Sequence, residues 1–230
     1  MLDFLTQSVF FGAFISLLFY ELGLTLKRRF KKAIFNPLLI AIILTIAVLV
    51  IFGIDYDVYY SGAKNLSYLL TPATVCLAIP LYEQFELLKK NAAAVLAGII
   101  SGMITSLVLV LLFAIVFRLS HAEYVTFLPK SITSAIGMAV SEQLGGYVPV
   151  TVAVIIISGL LGNITAESAC RLFRINDPIP KGVAIGSSSH AIGTAKAIEM
   201  GEVEGAMGGL SIAVSGILTV FAAALFSYFY

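Results

Sequence analysis

The chain holds no tryptophan, only two cysteines and two histidines among 230 residues, and charged residues make up just 12% of it. Each scarcity removes a class of function. Cys76, Cys170, His121 and His190 are scattered singly, so no metal-ligand spacing appears and no cofactor is expected. Cys76 and Cys170 sit in or beside apolar segments and read as small packing residues, with no disulfide role. A net charge of +1 and the lack of a basic tail exclude a nucleic-acid partner.

What remains is hydrophobic. Apolar residues reach 60% and mean hydropathy is +1.02, outside the range of soluble domains. Charge-free windows run over 4–20, 33–54, 65–82, 91–117, 143–166 and 205–230. At about 20 residues per crossing, there is room for about six to eight membrane segments. No gap between the windows holds a soluble domain, so 1–230 reads as a single transmembrane domain. The expected fold is an all-α multi-pass bundle with broken or re-entrant helices.

Charge sets the expected topology. Lys27, Arg28, Arg29, Lys31 and Lys32 follow the first apolar window, the wrong polarity for a cleaved signal. They place the N-terminus outside and this loop in the cytoplasm. The chain then leads outward over 33–54, inward to Lys89 and Lys90, and outward again over 91–117. The charge-free part of the next segment, 131–141, is too short to span. If 131–146 dips in and returns, then 143–170 crosses inward and Arg171, Arg174 and Lys181 become cytoplasmic. For 182–195, crossing and re-entry both stay open, and Glu199, Glu202 and Glu204 carry little topological weight.

A weak internal repeat supports broken elements. Ala78-Ile79-Pro80, Ala135-Ile136-Gly137 and Ala191-Ile192-Gly193 recur in step with Ser-Gly pairs at 101–102, 158–159 and 215–216. The units run over about 64–118, 122–173 and 178–230. Each pairs a short Ser/Thr-rich element with a full crossing, a plan by which secondary transporters build midplane sites.

Three short polar elements carry the candidate chemistry. In Leu70 to Pro80, Thr71 before Pro72 reads as a helix N-cap, with Thr74 one turn on and Pro80 as a kink. The second contains Ser131, Thr133 and Ser134 and closes on Gly145-Gly146, a helix stop. Lys130 beside it reads as an interfacial snorkelling lysine, with attraction for an anion as the alternative. The third, 182–195, places Ser187, Ser188 and Ser189 at a helix start, with His190 one residue inside. Half-helix N-termini and hydroxyls suit a carboxylate, and His190 can hold a polar group or a proton. Asn163, closing the fifth long span, must bond something when buried. The glycines from Gly201 to Gly209 let helices approach closely. Lys196 and Glu199 are spaced to pair with each other. Ser189 and His190 are neighbours in sequence and cannot face each other on a helix, so no enzyme is expected.

Asn36-Pro37-Leu38-Leu39, Thr71-Pro72-Ala73-Thr74 through Pro80-Leu81-Tyr82, Pro129-Lys130-Ser131, Gly162-Asn163-Ile164 and Gly186 to Ala195 resemble the LrgB/CidB family of bacterial membrane proteins. The resemblance implies a multi-pass protein of the bacterial inner membrane, acting beside a smaller, holin-like LrgA/CidA partner. Members were described as holin- or antiholin-like modulators of murein hydrolase activity and autolysis. Relatives are similar to the plastidal glycolate/glycerate translocator, and some act in pyruvate uptake. The leading expectation is a transport subunit for small monocarboxylates, with the bilayer, the substrate, the LrgA/CidA-like protein and further copies of itself as partners. A holin-like regulator is the alternative. Substrate identity, coupling ion and direction are not readable from the residues.

Overall fold

The computed structural model describes residues 8–30, 32, 34–76 and 78–230, with the side chains at 70, 71, 74, 80 and 81 excepted. The described residues are helical with no strand, and they divide into two compact units, 1–76 and 77–230. The boundary falls inside the first expected repeat unit.

The first unit contains α1 (Phe11–Phe30), α2 (Pro37–Ile51), α3 (Tyr56–Ser67) and α4 (Leu70–Cys76). Asn36 caps α2 by accepting from the Leu38 and Leu39 amides, with Pro37 at the first helical position. Gly12 of α1 and Gly62 of α3 sit backbone to backbone, and Ser16 Oγ lies 2.9 Å from the Tyr59 hydroxyl. α4 starts at Leu70, before the Thr71-Pro72 pair that reads as its cap in the sequence.

The second unit begins with two short helices, α5 (Ala78–Glu83) and α6 (Phe85–Lys90). Three helices in it are long and apolar enough to cross a bilayer: α7 (Ala92–Phe117), α10 (Val148–Leu172) and α12 (Glu202–Phe226). Leu109, Phe113, Ile157, Leu161, Phe221 and Leu225 are exposed on them, an apolar surface that suits lipid and not water.

Between these helices lie two hairpins. The first joins α8 (His121–Phe127) to α9 (Ser134–Gln143) through the turn 128–133. Its base is closed by hydroxyls: Thr126 Oγ1 accepts from the Tyr147 amide (2.8 Å), and Thr151 Oγ1 reaches the Thr126 carbonyl (3.0 Å) and Ser141 Oγ (2.7 Å). Gly145 at φ +79 and Gly146, whose amide returns to the Ser141 carbonyl, end α9 where the two glycines predict a stop. At the tip, Ser131 meets Ser106 of α7. Ser106 is eleven residues from the end of α7, a helical rise of roughly 16 Å.

The second hairpin is α11 (Pro178–Met200), bent at His190, where φ is 42 and ψ −140. Its arms fold back on each other: a Cβ on Gly193 would lie 3.1 Å from the Ile185 carbonyl oxygen, and Ala197 packs with Ile185, Ala166 and Cys170. The segment 182–195 therefore enters and returns, and does not cross. The apex is twelve residues from Pro178, a helical rise of roughly 18 Å.

The hairpins enter from opposite ends. α10 starts beside the base of the first, at Thr126, and finishes beside the base of the second, where Glu167 pairs with Lys196. Ile155 lies between them, its side chain against Gly137 and its carbonyl bonded to His190.

Candidate functional site

A cavity of about 870 Å³ runs along α7 and the first arm of α11. It exists because one face of α7 is small: Ala94, Gly98, Gly102 and Ser106 recur every fourth residue and so form a single stripe. Gly98 faces Val183 and Gly102 faces Ser187, so the two helices run side by side in the same direction. Asn91 and Asp177 mark one end of the cavity. Lys130 and Ser131, from the tip of the first hairpin, mark the other. Hydroxyls of Ser101, Thr105, Ser106, Ser187 and Ser188 lie between or beside them.

The geometry at the Lys130 end is close. Lys130 Nζ donates to Ser131 Oγ at 3.2 Å, and Ser131 Oγ is 3.1 Å from Ser106 Oγ. Lys130 is half-buried and makes no ion pair among the described residues. Asp177, the carboxylate at the far end, caps α11 by accepting from the Ile179 amide.

Behind the cavity, the apex of the second hairpin is held by α10. His190 Nε2 donates to the Ile155 carbonyl at 2.9 Å, which fixes the proton on Nε2. Asn163 Nδ2 donates to the Ile192 carbonyl at 2.7 Å. A Cβ on Gly159 would strike the His190 ring, and one on Gly162 would strike the Ser189 hydroxyl, so only glycine lets α10 come this near. Thr194 is fully buried, and its hydroxyl has no hydrogen-bond partner among the described residues. A helical threonine ordinarily donates four residues back. That acceptor is the carbonyl of His190, whose ψ is not helical.

The profile of the LrgB-like family matches residues 16–229, nearly the whole chain. The chain belongs to the LrgB family. It is 36% identical over 225 residues, 97% of its length, to the antiholin-like protein LrgB of Bacillus mycoides (strain KBAB4), and the match covers 98% of that relative. Antiholin-like LrgB proteins of Bacillus cereus (strain B4264) and Bacillus anthracis (strain CDC 684 / NRRL 3495) match to the same extent. No solved structure matches. Membership makes the chain a membrane protein, of a family whose curated relatives are named antiholin-like and not as enzymes. Two of the segments that carry the resemblance, Pro129-Lys130-Ser131 and Gly186 to Ala195, are the tip of one hairpin and the bend of the other.

The candidate residues of this LrgB-family sequence fall into four groups. Ser131, Ser187 and Ser188 line the cavity. Ser189, His190 and Asn163 lie on the α10 side of the second hairpin and brace its bend. Thr133 caps α9 by backbone geometry, without a side-chain bond, and Ser134 follows it; neither lines the cavity. The side chains of Thr71 and Thr74 lie outside the described residues, and their helix belongs to the first unit. One local correction concerns the three serines. They end a helical arm and do not start one, and Ser187 Oγ donates back to the Val183 carbonyl. Ser101, Thr105, Ser106, Asn91 and Asp177 were not singled out. The four-residue spacing of small residues from Ala94 to Ser106 is the signal that points to this face of α7.

Proposed function

We propose that this chain is a membrane transport subunit for small monocarboxylates of the pyruvate or glycolate kind. It works in the bacterial inner membrane with a smaller LrgA/CidA-type partner. The observation that carries the reading is the pair of hairpins entering from opposite ends, one tip opening on a hydroxyl-lined cavity that the arm of the other also lines. Interrupted helices are tolerated at membrane depth only where protein buries them or a cavity receives them. Each hairpin is followed by one long helix, α10 or α12, in opposite senses, so we read 122–173 and 178–230 as inverted repeats. Small movements of either hairpin against α10 would open the cavity to one side or the other. Ser131, Ser187 and Ser188 meet the substrate; Ser189, His190 and Asn163 keep the second hairpin bent. Lys89, Lys90, Arg171, Arg174 and Lys181 gather at the base of the second hairpin, which faces the cytoplasm by the positive-inside rule. By the same rule the cluster at 27–32 keeps the N-terminus outside.

Uptake of labelled pyruvate by vesicles carrying the chain, alone and with its partner, tests this. Saturable flux supports it; no substrate-dependent flux under any imposed gradient overturns it. The relatives' name, antiholin-like, favours a second reading, a holin- or antiholin-like regulator, which the family resemblance extends to murein hydrolase activity. Dye leakage without saturable flux would decide for that reading.

A further inference from the structure

The structure assigns Lys130, Ser131 and Ser106 as the receptor for a single carboxylate, a role that rests on the transport reading and gives it a charge balance. An ammonium inside an apolar bundle is costly unless a counter-charge meets it. Lys130 has none among the described residues: its one polar contact is Ser131 Oγ at 3.2 Å. The carboxylate that shares the cavity, Asp177, lies eleven residues before Ser188 along α11, a helical rise of roughly 16 Å. A bound anion would supply what is missing. Its two oxygens would take the Lys130 ammonium and the hydroxyls of Ser131 and Ser106, which already stand 3.1 Å apart. Bonds in which both partners are charged are the strong ones. With one unpaired cation lining the cavity among the described residues, a second carboxylate on the ligand finds no partner and must be desolvated without return. The site therefore takes monoanions with a short neutral tail and rejects dicarboxylates. The tail lies toward Ser187 and Ser188, on the arm of the second hairpin.

Pyruvate and succinate binding to the purified full-length chain in detergent, by calorimetry, tests the assignment alongside the vesicle flux. Wild type is expected to bind pyruvate and not succinate. Lys130→Gln should weaken pyruvate binding by about tenfold or more, and Lys130→Arg should restore most of it. Ser106→Ala keeps the charge and the fold, and should weaken binding by a few-fold. Lys130→Gln binding pyruvate as wild type does, or wild type binding succinate as well as pyruvate, overturns the receptor while leaving transport standing. Pyruvate binding that depends on Lys130 without any vesicle flux keeps the receptor and removes the transport reading.

Discussion

The two hairpins solve one problem in different ways. Each must turn the chain around inside the apolar layer, where an unpaired backbone group is expensive. The first spends the segment 128–133 on the turn and anchors its base with hydroxyls, leaving a polar tip free to face the cavity. The second turns at one residue. His190 takes a left-handed φ that side chains rarely adopt, a strain of about 1–3 kcal/mol that persists only if its surroundings hold it. Those surroundings are the Ile155 and Asn163 hydrogen bonds and a row of glycines at which α10 and α12 touch the hairpin. A longer turn can present chemistry; a one-residue turn is committed to packing. That contrast accounts for Ser131 and Lys130 opening on the cavity while Ser189 and His190 face α10.

The comparison breaks most readily at Gly162. A valine there must displace Ser189, so Gly162→Val should destabilise the second unit by about 3 kcal/mol, read as a lower Tm in detergent. Unchanged Tm would mean that the second hairpin is not held by close approach. At the first hairpin, Thr151→Val deletes the hydroxyl shared by Thr126 and Ser141 and should cost about 1–2 kcal/mol. Faster hydrogen exchange confined to 144–151 would locate that loss at the base of this hairpin alone. Strain at His190 separates two substitutions. Both His190→Ala and His190→Gly lose the bond to Ile155 and should abolish flux while the protein still inserts. Glycine accepts the left-handed φ, so it should be the more stable of the two by about 1 kcal/mol. Equal stability would mean that the bend stores no strain, and normal flux in either variant would show that the ring is dispensable.

The smallest effect belongs to the entry of the first hairpin. Glu123 accepts from the Ser120 amide and hydroxyl, and these bonds hold its carboxyl below the usual carboxylate range. A depressed folded value stabilises above the ordinary carboxylate pKa and loses that contribution as pH falls through the folded one. Thermal unfolding should therefore show no contribution from Glu123 to the change between pH 7 and 6. Below about pH 4, wild type and Glu123→Gln should converge; a gap that widens there would contradict the capping role.

Much of the architecture was legible without coordinates. The eleven charge-free residues of 131–141 are too few to span, and that segment is a returning hairpin. The Gly145-Gly146 stop stands where local chemistry puts it, because left-handed glycines act within a few residues. Of the segments behind the family resemblance, Pro129-Lys130-Ser131 and Gly186 to Ala195 prove to be a hairpin tip and a bend and Asn36-Pro37 a helix start, whereas Gly162-Asn163 lies inside α10. Other features were hidden for a definite reason. A stripe of small residues on a long apolar helix reads equally as a packing seam, so the part of α7 in the cavity did not stand out. Ser187 to Ser189 look equivalent in sequence, but at about 100° per residue a helix must turn them to different sides.

The sequence alone determined an all-helical membrane protein of the LrgB family with polar interruptions, because hydrophobic run length and local capping are properties of neighbouring residues. Only the tertiary structure decided that 182–195 returns to the end it entered, and that Lys130 meets Ser106. Both depend on groups brought together from helices far apart in the chain, by contacts that no local rule encodes.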